Sequence, residues 1–132
     1  MTADFSTYRD GEIQVFQFNR STDEAVAEWA AALEAYIEET PKKRPFYILL
    51  DVSAPDVDFT AAARQHSKRI FSDYRVHKGY IAMLFAWRTS PYFARLFFAS
   101  LGKLNFKLNY FHQREAAFGW LEKMHAQETT KH

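Results

Sequence analysis

The sequence contains no cysteine, and only four of its 132 residues are glycine and four are proline. The absence of cysteine excludes disulfide bonds, thiolate metal sites and cysteine nucleophiles. None of the glycines falls in a phosphate-binding G-x-G-x-x-G or G-x-x-x-x-G-K pattern. No apolar run approaches the roughly 18 residues that span a bilayer, and the polar first residues do not resemble a secretory signal. We therefore expect a cytoplasmic protein.

The composition is that of an ordinary globular domain. Hydrophobic residues make up 48%, charged residues 25% and aromatic residues 17%, so a large core is available. The length fits a single domain over residues 1–132. We expect its core to lie between about residues 4 and 125, with residues 126–132 as a frayed tail.

The net charge of +1 conceals an asymmetry along the chain. Residues 1–58 carry five basic and twelve acidic side chains, whereas residues 59–110 carry nine basic side chains and only Asp73 as an acid. Such a charge distribution steers partners when the two halves are separated in space. The charge distribution has no role in partner binding when acidic and basic elements are simply neighbours in the fold. The sequence leaves both interpretations open.

Hydrophobic patterning predicts alternating strands and helices. The predicted strands are residues 4–9, 12–18, 46–52, 80–86 and 105–111. The predicted helices are residues 21–40, 60–74, 90–101 and 114–125. The strands over residues 46–52 and 80–86 are almost continuously apolar, which is typical of parallel strands covered on both faces. We predict an α/β fold of order ββαβαβαβα, with a mixed, mostly parallel sheet and packed helices.

Turn and helix-cap residues support these boundaries. Asp10-Gly11 lies between the first two strands and predicts the tight turn of an antiparallel hairpin. Ser21 with Glu24 forms a capping box, and Thr60 is a plausible N-cap for the second helix. Ser90-Pro91 predicts an N-cap followed by the first helical position. Gly102 is placed to end that helix.

Polar side chains follow the ends of the parallel strands, where ligands bind in open α/β sheets. Together with the residues that begin the next helices they form a candidate ligand or partner surface: Asp51, Ser53, Thr60, Trp87, Arg88, Ser90 and His112. One interpretation is a polar pocket, with an enzyme that uses Asp51, Arg88 and His112 as a less favoured variant. The alternative is purely structural: Thr60 and Ser90 cap helices, and Arg88 pairs with Asp51. We assign no catalytic residues.

Metal and nucleic-acid functions are not indicated. The five histidines show no H-E-x-x-H or H-x-H spacing, so we expect no metal site and no cofactor. The second predicted helix is basic, but its aromatic residues fall at core spacing rather than on an exposed face. We therefore expect no nucleic-acid partner.

The helix over residues 90–101 carries more apolar side chains than one buried face requires. Phe93, Leu96, Phe97 and Leu101 fill one arc, and Tyr92 and Phe98 fall outside it. With Arg95, Lys103 and Lys107 as basic neighbours, the candidate interface consists of Tyr92, Arg95 and Phe98. We expect this surface to be a contact with a second copy of the chain in a homodimer. The alternatives are a helix packed on both sides, another protein partner, or an apolar ligand or anionic lipid in the adjacent groove.

The C-terminal string YFHQREAAFGWLEK resembles the ending of SpoIIAA-like proteins of the STAS superfamily. In that ending a strand finishes in Phe, here Phe111, and a helix carries Ala117, Trp120 and Leu121. We expect Trp120 to be buried against the sheet. The strand YIAMLFA, followed by Trp87 and the Ser90-Pro91 helix, is similar to the third strand–helix unit of the family.

The resemblance implies a mixed sheet with packed helices, and a bacterial binding or regulatory domain rather than an enzyme. In its best-known members, anti-sigma-factor antagonists, phosphorylation of a serine at the start of the second helix switches partners. That position corresponds to Thr60 here, and the preceding aspartate is replaced by Phe59. The glycine-rich turn that follows is replaced by three alanines, residues 61–63. A related fold occurs in lipid carriers.

Overall fold

We analysed a computed structural model of the chain, which describes residues 3–8, 13–18, 22–41, 43–54, 60–86 and 90–130. The strands are β1 (Ala3–Tyr8), β2 (Ile13–Phe18), β3 (Phe46–Asp51), β4 (Gly79–Leu84) and β5 (Phe106–Phe111). The helices are α1 (Asp23–Glu39), α2 (Ala61–Asp73), α3 (Tyr92–Ser100) and α4 (Arg114–Thr130). The predicted alternation of strands and helices is confirmed, and the fold is α/β.

The five strands form one sheet in the order β1-β2-β3-β4-β5. Strands β2 to β5 are parallel to their neighbours. The register of β1 against β2 runs antiparallel, with Ala3 opposite Phe18 and Tyr8 opposite Ile13. The predicted turn at Asp10-Gly11 lies outside the described residues. Neighbours in the sheet are thus also neighbours in the sequence.

The helices divide unequally between the two faces of the sheet. Phe46, Ile48 and Leu50 of β3 pack into one core with side chains from α1, α2 and α3. Tyr47 and Leu49 point to the opposite face, where the core is completed by α4. Crossovers of one hand between adjacent parallel strands place their helices on the same face. The last helix follows the edge strand β5 and returns over the other face.

Both central strands are buried along their entire length, as their continuous apolar sequences predict. Every residue of β3 and β4 is buried, whereas β5 is only partly covered because it lies at the edge of the sheet. The core on the three-helix side includes a cluster of aromatic rings, in which Phe71 of α2 contacts both Phe98 and Phe106.

The helix ends agree with most of the predicted caps. The Thr60 side chain accepts a 3.1 Å hydrogen bond from Ala63 N and begins α2 as predicted. Gly102 has a φ of +82° and follows the end of α3, also as predicted. The cap of α1 is Thr22, which accepts from Ala25 N, rather than the predicted Ser21, a residue outside the described part of the chain.

The helix α4 continues to Thr130, five residues beyond its predicted end at about residue 125. The Glu128 side chain in its last turns is buried and accepts a hydrogen bond from the Tyr80 hydroxyl. Trp120 is partly buried and packs against the sheet as predicted, with its ring 5.9 Å from those of Tyr80 and Phe111. Among the described residues, no helix combines the length and apolarity required to cross a membrane.

Candidate functional site

The strand-end cluster is organised around a buried carboxylate at the end of β3. Asp51 is 4% exposed, and its Oδ1 accepts hydrogen bonds from the Ser53 backbone N at 2.9 Å and from Ser53 Oγ at 2.5 Å. Its Oδ2 accepts from Arg114 Nη1 at 3.1 Å. The carboxylate thus closes the turn after β3 and joins it to the first turn of α4.

Arg114 was missed by the sequence analysis, which paired Asp51 with Arg88. Arg88 and Trp87 lie outside the described residues, so their predicted places in this surface stay predictions. A signal for Arg114 was present in the sequence. It stands three residues after Phe111, the end of β5, and carboxyl ends of parallel strands share one edge. Its guanidinium also lies 5.2 Å from the centre of the Phe118 ring, which fixes its direction.

Asp51, Ser53 and Arg114 form what we call the Asp51 cluster, and His112 is not part of it. Residues Asp51, Leu84 and Phe111 stand opposite one another across β3, β4 and β5, so Asp51 and Phe111 are two strands, about 10 Å, apart. The exposed His112 ring follows Phe111, and its Nδ1 lies 3.0 Å from the Ala86 carbonyl oxygen. The Asp51 oxygens are therefore engaged by Ser53 and Arg114 rather than by an imidazole.

The hydroxyl residues of the predicted surface have local structural partners. Thr60 caps α2, and Ser90 Oγ accepts a 3.2 Å hydrogen bond from Tyr92 N at the start of α3. The observed N-cap position of α3 is Pro91, one residue later than predicted. Across the ranges that the structure describes, no three histidine or carboxylate side chains group as metal ligands.

The second candidate surface is the outer face of α3. Three large apolar side chains are exposed there: Tyr92 at 58%, Phe93 at 75% and Leu96 at 51%. We refer to these three side chains as the α3 patch. They begin at the first residue of the helix and continue for one turn.

The predicted orientation of α3 is wrong. Phe98, predicted at the interface, is 8% exposed and packs against Phe71 with ring centres 5.2 Å apart. Phe93 and Leu96, predicted in the core, point to solvent. The helix is apolar almost all round, so its periodicity does not decide which arc faces inward. Contact with the Phe71 ring of α2 turns Phe98 and Leu101 toward the core.

Of the three predicted basic neighbours of α3, Lys107 lies on the other face of the sheet. Arg95 is exposed, and its Cζ lies 4.8 Å from the centre of the Tyr110 ring on β5. Burial raises the pKa of Tyr110, and the Arg95 charge opposes that shift. Lys103 is exposed in the turn after α3. Lys107 alternates with Phe106 and Leu108, which face the α3 side, so it lies on the opposite face of the sheet.

A third polar group lies beneath α4. The Glu128 carboxylate accepts hydrogen bonds from the Tyr80 hydroxyl at 2.8 Å and from Lys78 Nζ at 3.1 Å. Burial and the bond to Glu128 raise the pKa of Tyr80 to about 12. This group joins a helix to the sheet through a buried carboxylate, and the Lys78 side chain is half exposed.

The described residues thus offer two candidate surfaces: the cluster around Asp51, whose carboxylate is engaged by Ser53 and Arg114, and the α3 patch, whose apolar side chains are exposed. Neither a scan of protein-family models nor searches of the curated proteins and of the solved structures found a match to this chain.

Proposed function

We propose that this chain is a small, non-catalytic binding domain of SpoIIAA-like, STAS-type architecture, located in the cytoplasm, whose contact surface is the α3 patch. A single observation carries the proposal: Tyr92, Phe93 and Leu96 are exposed side by side on one helix. Contiguous apolar patches on a protein surface are typical of interaction sites, whereas apolar residues exposed singly are common and need no explanation.

The packing of α3 supports this interpretation because the α3 patch contributes little to the core. Phe98 and Leu101 already anchor the helix on the sheet side. Aromatic residues are enriched at the centres of protein interfaces. The α3 patch is therefore best explained by a contact outside the folded chain.

The state of the Asp51 cluster supports a non-catalytic role. A catalytic carboxylate needs an accessible oxygen within hydrogen-bond reach of the proton that it moves. Asp51 is buried and engaged by Ser53 and Arg114. The strand β4 lies between β3, which ends at Asp51, and β5, which His112 follows. These contacts favour a structural role for Asp51.

The architecture is compatible with the family resemblance. A mixed sheet with helices packed against it is what the resemblance implies, and the chain has such a sheet with helices on both faces. Thr60, which corresponds to the phosphorylated serine of the family, serves here as the cap of α2. Its phosphorylation forms no part of the proposal.

Two phenylalanines of the same helix provide a matched test of the contact surface. Phe93→Ser should change the free energy of unfolding by less than about 0.5 kcal/mol, as expected for a surface position. Phe98→Ala should reduce it by about 3–5 kcal/mol, because it empties a core site. Denaturant titration measures both.

The same variants test whether the surface is free to bind. The fluorescent apolar probe 8-anilinonaphthalene-1-sulfonate should bind the native wild type and lose most of that binding in Phe93→Ser. Absence of probe binding to the native protein would contradict the proposal. So would a loss of stability in Phe93→Ser as large as that in Phe98→Ala, because Phe93 would then be packed.

A further inference from the structure

We infer that the α3 patch docks on an anionic lipid membrane, with Phe93 and Leu96 entering the interface and the neighbouring basic side chains facing lipid headgroups. This inference rests on the proposed function and names the partner of the same surface.

The order of the sheet converts the charge asymmetry of the sequence into a spatial one. Because the strands follow one another in sequence order, the acidic helix α1 lies toward the β1 edge, where it contacts β1 and β2, and β4, α3 and β5 lie toward the β5 edge. The chain has no Asp or Glu between Asp73 and Glu115, a segment that includes all of β4, α3 and β5. Such a field directs the β5 edge toward a negatively charged surface.

Among the described residues, the acidic helix α1 contacts the basic helix α2. Arg69 pairs with Glu34 of α1 at 2.6 Å, and Tyr74 donates a hydrogen bond to Glu38 of α1. These two carboxylates thus lie on the side of α2 that is remote from α3. Arg95 on α3 and Lys103 in the turn after it have no acidic residue in their own segment.

The shape and chemistry of the α3 patch fit a bilayer. The patch is the outward surface of a single nine-residue helix beside the edge strand, and insertion into a lipid interface requires no complementary groove. The one hydroxyl further along the helix, Ser100, donates its hydrogen to the Phe97 carbonyl oxygen at 2.6 Å. Exposed Tyr92 at the start of the helix is a residue type enriched at membrane interfaces.

A second copy of the chain is a poorer occupant of this surface. In a twofold dimer both copies use the same surface, so Arg95 and Lys103 of both copies would lie around one interface, with no acid from residues 74–114 between them. Like charges across an interface oppose association. An anionic headgroup layer removes this repulsion and supplies the missing counter-charges.

Co-sedimentation with vesicles tests the inference. Wild-type protein should bind vesicles of equal parts phosphatidylcholine and phosphatidylglycerol, and should bind pure phosphatidylcholine vesicles far more weakly. High salt should reduce the binding to the anionic vesicles. Phe93→Ser should lower the partition coefficient by about tenfold or more, and Phe93→Leu should retain most of it.

Three basic residues of the same segment test which face of the sheet contacts the vesicle. Arg95→Gln and Lys103→Gln should each lower the partition coefficient by about fivefold. Lys107→Gln removes an exposed lysine from the same segment but from the other face of the sheet, and should have a clearly smaller effect. Circular dichroism and the unfolding midpoint should show that all five variants, including the two at Phe93, fold as the wild type does.

Two outcomes would overturn the inference. Failure to bind anionic vesicles, with probe binding still dependent on Phe93, would assign the surface to a protein partner or a second copy and would leave the proposed function intact. Sedimentation velocity that shows a wild-type dimer and a Phe93→Ser monomer would identify that partner as a second copy. Equal effects of Lys107→Gln and Arg95→Gln would indicate nonspecific charge attraction, and would also reject α3 as the docking face.

Discussion

The Tyr80 hydroxyl donates a 2.8 Å hydrogen bond to Glu128, although 48 residues separate them along the chain. Tyr80 lies in the centre of the sheet and Glu128 in the last turns of α4, and both are buried. Lys78 Nζ lies 3.0 Å from the same carboxylate and balances its charge. The last turns of α4 are thereby joined to the sheet.

Removal of the Tyr80 hydroxyl should destabilise the fold. Tyr80→Phe retains the ring contacts with Tyr47 and Trp120 but leaves the buried Glu128 with one donor fewer. Hydrogen bonds to charged groups contribute about 1.5–3 kcal/mol, so we expect the free energy of unfolding to fall by that amount in denaturant titration. Tyr92→Phe, which removes an exposed hydroxyl, is the control and should be nearly neutral. Equal stability of the two variants would show that the Glu128 bond contributes nothing.

Alkaline pH should destabilise the protein through the same tyrosine. Burial and the bond to Glu128 raise the pKa of Tyr80 from 10.0 to about 12. Between these values the unfolded chain has lost the Tyr80 proton and the folded chain retains it. The stabilisation is therefore complete below about pH 10 and is lost as the pH rises toward about 12.

Tyr80→Phe isolates this contribution. The hydrogen bond to Glu38 raises the pKa of Tyr74 to about 12 as well, so part of the alkaline decline should persist in the variant. We expect the gap in unfolding free energy between wild type and Tyr80→Phe to narrow above pH 10. A gap that stays constant to pH 12 would refute the role assigned to Tyr80.

Replacement of the buried Asp51 should lower the free energy of unfolding. Asp51→Ala removes the acceptor for Ser53 N, Ser53 Oγ and Arg114 Nη1. We expect a loss of about 2–4 kcal/mol in unfolding free energy, because a buried N–H and a guanidinium lose their acceptor. Ser53→Ala keeps the backbone bond and should cost about 1 kcal/mol. A stable Asp51→Ala protein would reopen a functional role for this carboxylate.

Two glycines should respond to alanine in opposite directions. A Cβ at Gly79 would overlap the ring of Phe46, which is buried and contacts Phe106. Gly79→Ala should therefore cost about 1–3 kcal/mol, as overpacked core sites do. The exposed Gly119 within α4 has open space around it, so Gly119→Ala should stabilise the protein by about 0.5–1 kcal/mol. Thermal unfolding of both variants measures the contrast.

The fold was predictable because its signals are local. The apolar runs of β3 and β4, the cap at Thr60 and the positive φ at Gly102 follow from residue properties over a few positions. The sites were less predictable because they depend on contacts distant in sequence. Asp51 pairs with Arg114, which is 63 residues away in the sequence. The positions of the basic residues after the strands do not show which of them contacts Asp51.

The sequence by itself determined which segments become strands and helices, because side-chain periodicity and cap chemistry act within one turn or one strand. Only the tertiary structure decided the direction in which α3 faces. Phe93 and Phe98 are the same residue type on an almost wholly apolar helix, and contact with Phe71 buries Phe98 while Phe93 stays exposed. Burial is a property of packed neighbours, so one helix cannot encode it alone. The same reasoning applies to the last turns of α4, which contact the sheet where Glu128 meets Tyr80 and Lys78.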